Sequence, residues 1–283
     1  MPTIVTGRDG SVQFGVGLPT VIIGERINPT GRKKLAAALV AGNLELVEQE
    51  ARNQRNAGAQ ILDVNVGAPG VKEEILLPRA VELVAEVSGL PICIDSASPE
   101  ALRAALEVYP HKALINSVTG EERSLSTVLP FVRDYGAAVI GLTIDDDGIP
   151  STAARRVEVA EKIVETAESL GIPRENVVID CLVLAVSANP DASLVTLEAL
   201  RTISGQMSVS TAMGVSNISF GMPERMVVNS AFLSMAIEAG LSAAIVNPAN
   251  DSLLYTILSS NLLMGRDEFA GNFLSHYRSR RAV

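Results

Sequence analysis

Short apolar runs return along this chain about every 25 to 40 residues, and nearly all of them end on Asp, Asn, Glu or Ser. In order they are VIIGERIN (21–28), ILDVNVG (61–67), ICIDS (92–96), ALINS (113–117), AAVIGLTID (137–145), VVIDCLVL (177–184), MGVSNIS (213–219) and AAIVNP (243–248). Runs of this length are too short to span a membrane and read as parallel strands buried on both faces. The intervening segments carry helix signals. Asn43 is placed to cap a helix to about residue 57, and Ser98 with Pro99 marks an N-cap and first helical position. Further helices are predicted over 73–88, 121–135, 152–170, 193–203, 223–239 and 251–263. Eight strand-helix units of about 30 residues make a single (β/α)8 TIM barrel, an α/β fold whose active site forms at the C-terminal ends of the strands.

The barrel is assigned to residues 21–265, between an N-terminal extension (1–20) and a C-terminal tail (266–283). In the extension, alternating Val12, Phe14 and Val16 among glycines predict a small hairpin across the barrel bottom. The tail, ending in Arg278, Arg280 and Arg281, reads as a solvated surface segment.

Composition narrows the partners. The 283 residues are 47% hydrophobic and only 4% aromatic, with no Trp, and the net charge is −9. An acidic chain with no basic stripe and few stacking rings argues against nucleic acid as the main ligand. The opening MPTIVTGRDG has neither a basic segment nor a continuous apolar one, so a cytoplasmic, membrane-free protein is expected. Cys93, His111, Cys181 and His276 lack zinc-ligand spacing, and no protein-bound metal is expected.

The predicted barrel mouth collects Glu25, Arg26, Asn28, Asp63, Asn65, Asp95, Ser96, Asn116, Ser117, Asp145, Asp180, Asn217, Ser219 and Asn247. Any single Ser, Asn or Asp at a strand end can equally be a helix cap. Eight in phase describe a polar ring, and it contains no His, Lys or Cys nucleophile. Carboxylates and carboxamides together suit a flat heterocycle dense in donors and acceptors, because a carboxylate accepts two parallel hydrogen bonds from adjacent ring N–H and exocyclic NH2 groups.

The strings VIIGERIN, GAQILDVNVG, PICIDS, KALINSVTG, GAAVIGLTI, VVID and GVSNIS, in this order, resemble the pterin-binding barrel of methyltetrahydrofolate:corrinoid methyltransferases. That family is related to the folate module of cobalamin-dependent methionine synthase and, more distantly, to dihydropteroate synthase. The resemblance implies a homodimeric enzyme that moves a methyl group between N5 of tetrahydrofolate and the cobalt of a corrinoid (cobalamin) carried on a separate partner protein. Tetrahydrofolate or 5-methyltetrahydrofolate is then the substrate. The resemblance assigns Asp95, Asn116 and Asp180 to the pterin ring and Asn217 to N5, with Asn217 and Asp180 as catalytic residues. Asp63 and Asn65 would support the ring or its waters, and Ser96 and Ser219 would join the pterin set. Arg26 and Arg225 are candidates for the folate tail or for surface ion pairs, and Asp145, Asp146 and Asp147 for the loop facing the corrinoid partner.

Three positions depart from the family pattern. Cys181 stands where many relatives have Pro, Phe220 where an amide side chain is expected, and Asp145 where some have Asn. They leave the ring-binding set intact and alter the surroundings of N5 and the face toward the partner. Two other readings use the same barrel. A dihydropteroate synthase needs basic residues after strands seven and eight, where this chain has SNISFG and VNPAND. A non-catalytic folate-binding or docking subunit would not need the complete polar rim.

Overall fold

A computed structural model describes residues 1–281, with the side chains of residues 279–281 outside the described residues; the tail side chains of Arg280 and Arg281 are among these. The chain opens with an antiparallel hairpin, β1 (Thr3–Gly7) and β2 (Gly10–Phe14). Eight parallel strands follow: β3 (Val21–Ile27), β4 (Ile61–Asn65), β5 (Ile92–Asp95), β6 (Leu114–Thr119), β7 (Ala138–Leu142), β8 (Val177–Asp180), β9 (Ser210–Gly214) and β10 (Ala243–Val246). They close into a barrel in chain order, with β10 pairing to both β9 and β3. The helices are α1 (Lys33–Val40), α2 (Glu45–Asn56), α3 (Glu73–Ser88), α4 (Pro99–Val108), α5 (Glu122–Tyr135), α6 (Ala153–Ser169), α7 (Ala192–Thr202), α8 (Arg225–Glu238), α9 (Asp251–Leu263) and α10 (Gly271–Arg281). The expected (β/α)8 barrel is present. No helix among the described residues is long and apolar enough to cross a membrane.

Alternation along each strand divides the apolar residues into two cores. Ile22, Leu62, Ile94, Ile115, Val139 and Ile179 face the helices, while Ile23, Ile61, Cys93, Leu114, Ile140 and Val178 fill the barrel interior. The hairpin closes the floor of that interior. Val5 and Phe14 are fully buried in the inner cluster. The Thr6 N–H donates to Lys112 O at 3.0 Å, and Thr3 Oγ1 donates to Ser210 Oγ at 2.8 Å. Gly7 lies so close to the chain entering β5 that a Cβ would meet the Leu90 carbonyl carbon at 2.5 Å, so only glycine fits.

Several elements differ from their sequence expectation. The seventh barrel strand is β9 over Ser210–Gly214, and Val215–Ser219 forms a 3-10 turn instead of continuing it. Ser210 and Thr211 disguise this strand as polar. Ser210 Oγ donates to Phe14 O on the hairpin, and Thr211 Oγ1 donates to Gly240 O, so both hydroxyls are satisfied in burial. The sixth run stops at Asp180, since Leu182 adopts a left-handed backbone (φ 59°). Helix α1 was not anticipated. Asn43 accepts from the Glu45 N–H two residues on and starts a turn; the N-cap position of α2 is Leu44. The tail carries α10, whose first turn is held by the buried Asp267 carboxylate accepting from the Asn272 and Phe273 N–H groups, and Phe273 and His276 meet the Tyr255 ring of α9 edge-on. It is therefore a helix docked on the barrel, exposed along its outer side.

Because Phe14 plugs the floor and touches residues from several strands' inner faces, Phe14→Ala should lower the free energy of unfolding by about 3 to 5 kcal/mol. Urea unfolding followed by circular dichroism measures it. A loss below ~1 kcal/mol would show that the hairpin is not part of the cooperative core.

Candidate active site

The same two-residue alternation that fills the barrel with Ile23, Ile61, Cys93, Leu114 and Val178 carries Glu25, Asp63, Asn65, Asp95, Asn116 and Asp180 inward at the upper end. Register then sets their levels. Asn65 lies beside Asp95 on β5, which lies beside Asn116 on β6, forming one row across three strands, and Asp63 sits one layer below beside Cys93. The structure therefore brings Asp63, Asn65, Asp95 and Asn116 together as one cluster. Asp180 enters from the far side on β8, level with Leu142 and Ala212.

Asp63 is 3% exposed and its carboxyl is raised well above the usual range, first by burial and then by the neighbouring Asp95 charge. It accepts from Asn116 Nδ2 at 3.2 Å, and the Cys93 thiol also bonds to it. Asp95 is raised as well, chiefly by burial, with hydrogen bonds from Asn65 and Asp63 opposing the shift. Two buried carboxyls in contact cannot both ionise, so Asp63 keeps the proton and donates it to an ionised Asp95. Asp180 is pushed up to about 7 by burial, opposed by the Leu182 N–H, which donates to its Oδ1 at 2.7 Å, and by the Arg156 charge. Glu25 on β3 is raised by burial and accepts from Ser216 Oγ at 3.5 Å. Among the described residues no group of three or more His, Cys, Asp or Glu side chains is placed to hold a metal ion.

Asn217 does not end a strand. It stands exposed on the 3-10 turn after β9, and its amide folds back over Gly214, where a Cβ would lie 3.4 Å from Asn217 Nδ2. At Gly214 a side chain would sit at ordinary contact distance from that amide, so the exposed Asn217 side chain is bounded there by the backbone of the turn. Ser96 and Ser219 are both occupied by protein partners, Ser96 across to α3 and Ser219 by the first residue of α8. Ser96 Oγ donates to Glu73 Oε2 at 2.6 Å and accepts from the Ser98 N–H, while Ser219 Oγ accepts from Arg225 Nε at 3.0 Å. Arg225 also donates to Ser216 O at 2.8 Å and lies over the Phe220 ring, so it braces the turn that bears Asn217. Arg26 is half-buried at the end of β3, with its N–H donating to Gln54 Oε1.

The acidic run after β7 is not the uniformly open feature its sequence suggests. Asp145 falls outside the inward phase of β7, is 6% exposed, and pairs with Arg155 at 2.9 Å. Asp146 and Asp147 remain exposed, with Asp146 3.9 Å from the Lys162 ammonium.

Two residues at the site escape a reading of strand ends. Glu73 begins α3 and reaches the mouth through Ser96. Arg156 lies in the buried stripe of α6 with Ala153, Val159, Ala160 and Ile163, and holds the loop after β8 from beneath. Its signal is an arginine in the apolar phase of an amphipathic helix.

Comparison with known proteins places the chain among pterin-binding enzymes. The family model described as "Pterin binding enzyme" matches residues 24–247, which contain every inward polar residue named above. The chain is 30% identical over 267 residues to the methylcorrinoid:tetrahydrofolate methyltransferase of Eubacterium limosum, covering 91% of this chain and 96% of that one. It is 33% identical over 250 residues to the methionine synthase of Mycobacterium leprae, covering 84% of this chain but only 21% of that much longer protein. A solved structure, Xanthomonas albilineans dihydropteroate synthase with 4-aminobenzoic acid, shares the fold with a TM-score of 0.66 at 19% identity, over 92% of this chain and 98% of that one. A family match spanning all eight barrel strands and a near end-to-end relative make the chain a member of the pterin-binding enzyme family.

Proposed function

We propose that this protein binds tetrahydrofolate in the barrel mouth and transfers a methyl group between its N5 and the cobalt of a corrinoid carried by a separate protein. The observation that carries the reading is the aligned row Asn65, Asp95, Asn116, with Asp63 beneath it and Asp180 opposite. The likeness to the E. limosum relative supports the reaction, and that relative's name favours transfer from the methylated corrinoid toward tetrahydrofolate.

The donor set fits a pterin. With Asp63 holding the shared proton, Asp95 is an anionic acceptor for a ring N–H and its adjacent amino group. Asn116 offers mixed donor and acceptor capacity beside it, and Asp180, titrating near 7, can accept a ring N–H once ionised. The corrinoid supplies a cobalt centre that carries the methyl group. What the barrel supplies is orientation and proton control at N5. A tertiary amine leaves poorly unless it gains a proton or a strong hydrogen bond, and the amide of the exposed Asn217, which can both accept and donate, can follow N5 from a lone pair to a protonated amine.

Three expected outcomes test this reading. Asp95→Ala should weaken tetrahydrofolate binding by roughly 2 to 4 kcal/mol in calorimetry, since it removes the paired acceptor, and unchanged affinity would remove the site from consideration.

Asn217→Ala should slow methyl transfer by about 10²-fold or more in both directions, with a smaller loss of ground-state binding. Single-turnover absorbance of the corrinoid protein reads the rate. Poor affinity with normal transfer would reduce Asn217 to a residue that only places the ring.

Asp180 makes a pH prediction that needs no ligand. The folded protein keeps its proton up to about 7, whereas the unfolded chain releases it near 3.8, the ordinary value for an aspartate side chain. The native state therefore binds more protons between those values, and this group's contribution makes stability fall as pH rises through the window. Relative to wild type, Asp180→Asn should gain stability between pH 4 and 7 and hold the gain above it. Urea midpoints at about pH 5 and pH 8 measure the difference, and a gain that shrinks with rising pH would contradict the buried, protonated state.

A further inference from the structure

Arg156 is 1% exposed and heads the largest fully buried side chains, yet its partners are carbonyls and a hydroxyl rather than a carboxylate. Nη1 donates to Cys181 O at 2.7 Å, Leu182 O at 2.8 Å and Thr196 Oγ1 at 3.1 Å, and Nε donates to Pro150 O at 3.1 Å. Thr196 Oγ1 in turn donates to Leu182 O at 2.8 Å. Burial of this guanidinium is costly and lowers its pKa; an apolar side chain would pack α6 against β8 more cheaply. What only the guanidinium provides is a planar fork that fixes several acceptors at once, together with a positive charge directed at Asp180.

Those acceptors belong to the segment that positions the proposed machinery. Leu182 sits in the left-handed region at φ 59°, a conformation a leucine keeps only when its surroundings impose it. In that conformation its carbonyl faces Arg156 and Thr196 while its N–H donates to Asp180. Farther along the same loop, the Val186 N–H donates to Ile218 O at 3.0 Å and Ser187 Oγ donates to Phe220 O at 2.5 Å, docking the loop on the turn that bears Asn217. The charged group acting on Asp180 is Arg156 from α6; the adjacent Cys181 thiol is itself pushed up by burial and by the Asp180 charge, and the strand neighbours Leu142 and Ala212 are not ionisable.

We propose that Arg156 is the positioning residue for the folate site, clamping the loop after β8 so that Leu182 N–H meets the Asp180 carboxylate and the loop braces the Asn217 turn. Its importance to folate rests on the function proposed above, but its action on Asp180 does not. The experiment uses the full chain labelled with 13C-carboxyl aspartate, reading the Asp180 titration by NMR and tetrahydrofolate affinity by calorimetry in Arg156→Gln, Arg156→Lys, Asp180→Asn and the Arg156→Gln, Asp180→Asn double variant. In Arg156→Gln the Asp180 midpoint should rise by about one pH unit and affinity at neutral pH should fall about tenfold. In the Asp180→Asn background the same substitution should cost much less, a non-additivity that a general packing defect does not produce. Arg156→Lys retains the charge with fewer donors, so its midpoint should stay near that of wild type while affinity recovers only in part; it also decides the matter if Arg156→Gln does not fold. A folded Arg156→Gln with a lower unfolding midpoint but wild-type Asp180 titration and affinity would overturn the proposal, leaving Arg156 a packing residue. If wild type itself fails to bind tetrahydrofolate, the functional reading falls, while the Asp180 titration still decides the role of Arg156.

Discussion

Burying carboxylates at the open end of an otherwise apolar barrel is the constraint on which the rest of this structure depends. Each buried charge costs several kcal/mol unless it is neutralised or hydrogen-bonded, by the order of magnitude typical for such groups. The barrel meets the cost differently on its two sides. On β4 and β5, Asp63 and Asp95 share one proton, with Asn65, Asn116 and Cys93 supplying hydrogen bonds. On β8, no carboxyl among the described residues acts on Asp180, which relies on the Leu182 N–H and the Arg156 charge.

That asymmetry bears on ligand recognition. The β4–β6 side presents a formal negative charge with fixed donors around it, suited to a paired N–H edge. The β8–β9 side is softer, with a carboxyl poised near neutrality and an exposed amide over Gly214. A heterocycle gripped on one edge and attended on the other by groups that can change protonation or orientation meets the needs of proton control better than a rigid cage would.

Rigidity comes from beneath and behind. The hairpin fills the barrel floor with Val5 and Phe14, leaving the interior no freedom to collapse away from the mouth. Outside the sheet, Arg156 of α6 and Glu73 of α3 tie the loops after β8 and β5 to the neighbouring helices, and Arg225 ties the turn after β9 to α8. The polar mouth is thus backed by side chains that hold its loops in place from the surrounding helices.

Strand order, the two-residue alternation and the inward set Asp63, Asn65, Asp95, Asn116 and Asp180 were legible in the sequence, because a buried parallel strand must be apolar throughout and polar residues in its inward phase stand out. The polar strand β9 was not, since Ser210 and Thr211 are satisfied by the hairpin and by the chain entering β10, partners far away in sequence. Nor could local pattern show that Asp145 is drawn to Arg155, that Ser96 is taken by Glu73 of α3 and Ser219 by Arg225, or that a guanidinium beneath β8 reaches Asp180. The sequence by itself determined the number and order of the strands and the polar residues gathered at their ends, through the return of short apolar runs. Only the tertiary structure decided which of those residues face inward, and their protonation, partners and supports, because these depend on burial and on contacts between segments that periodicity does not encode.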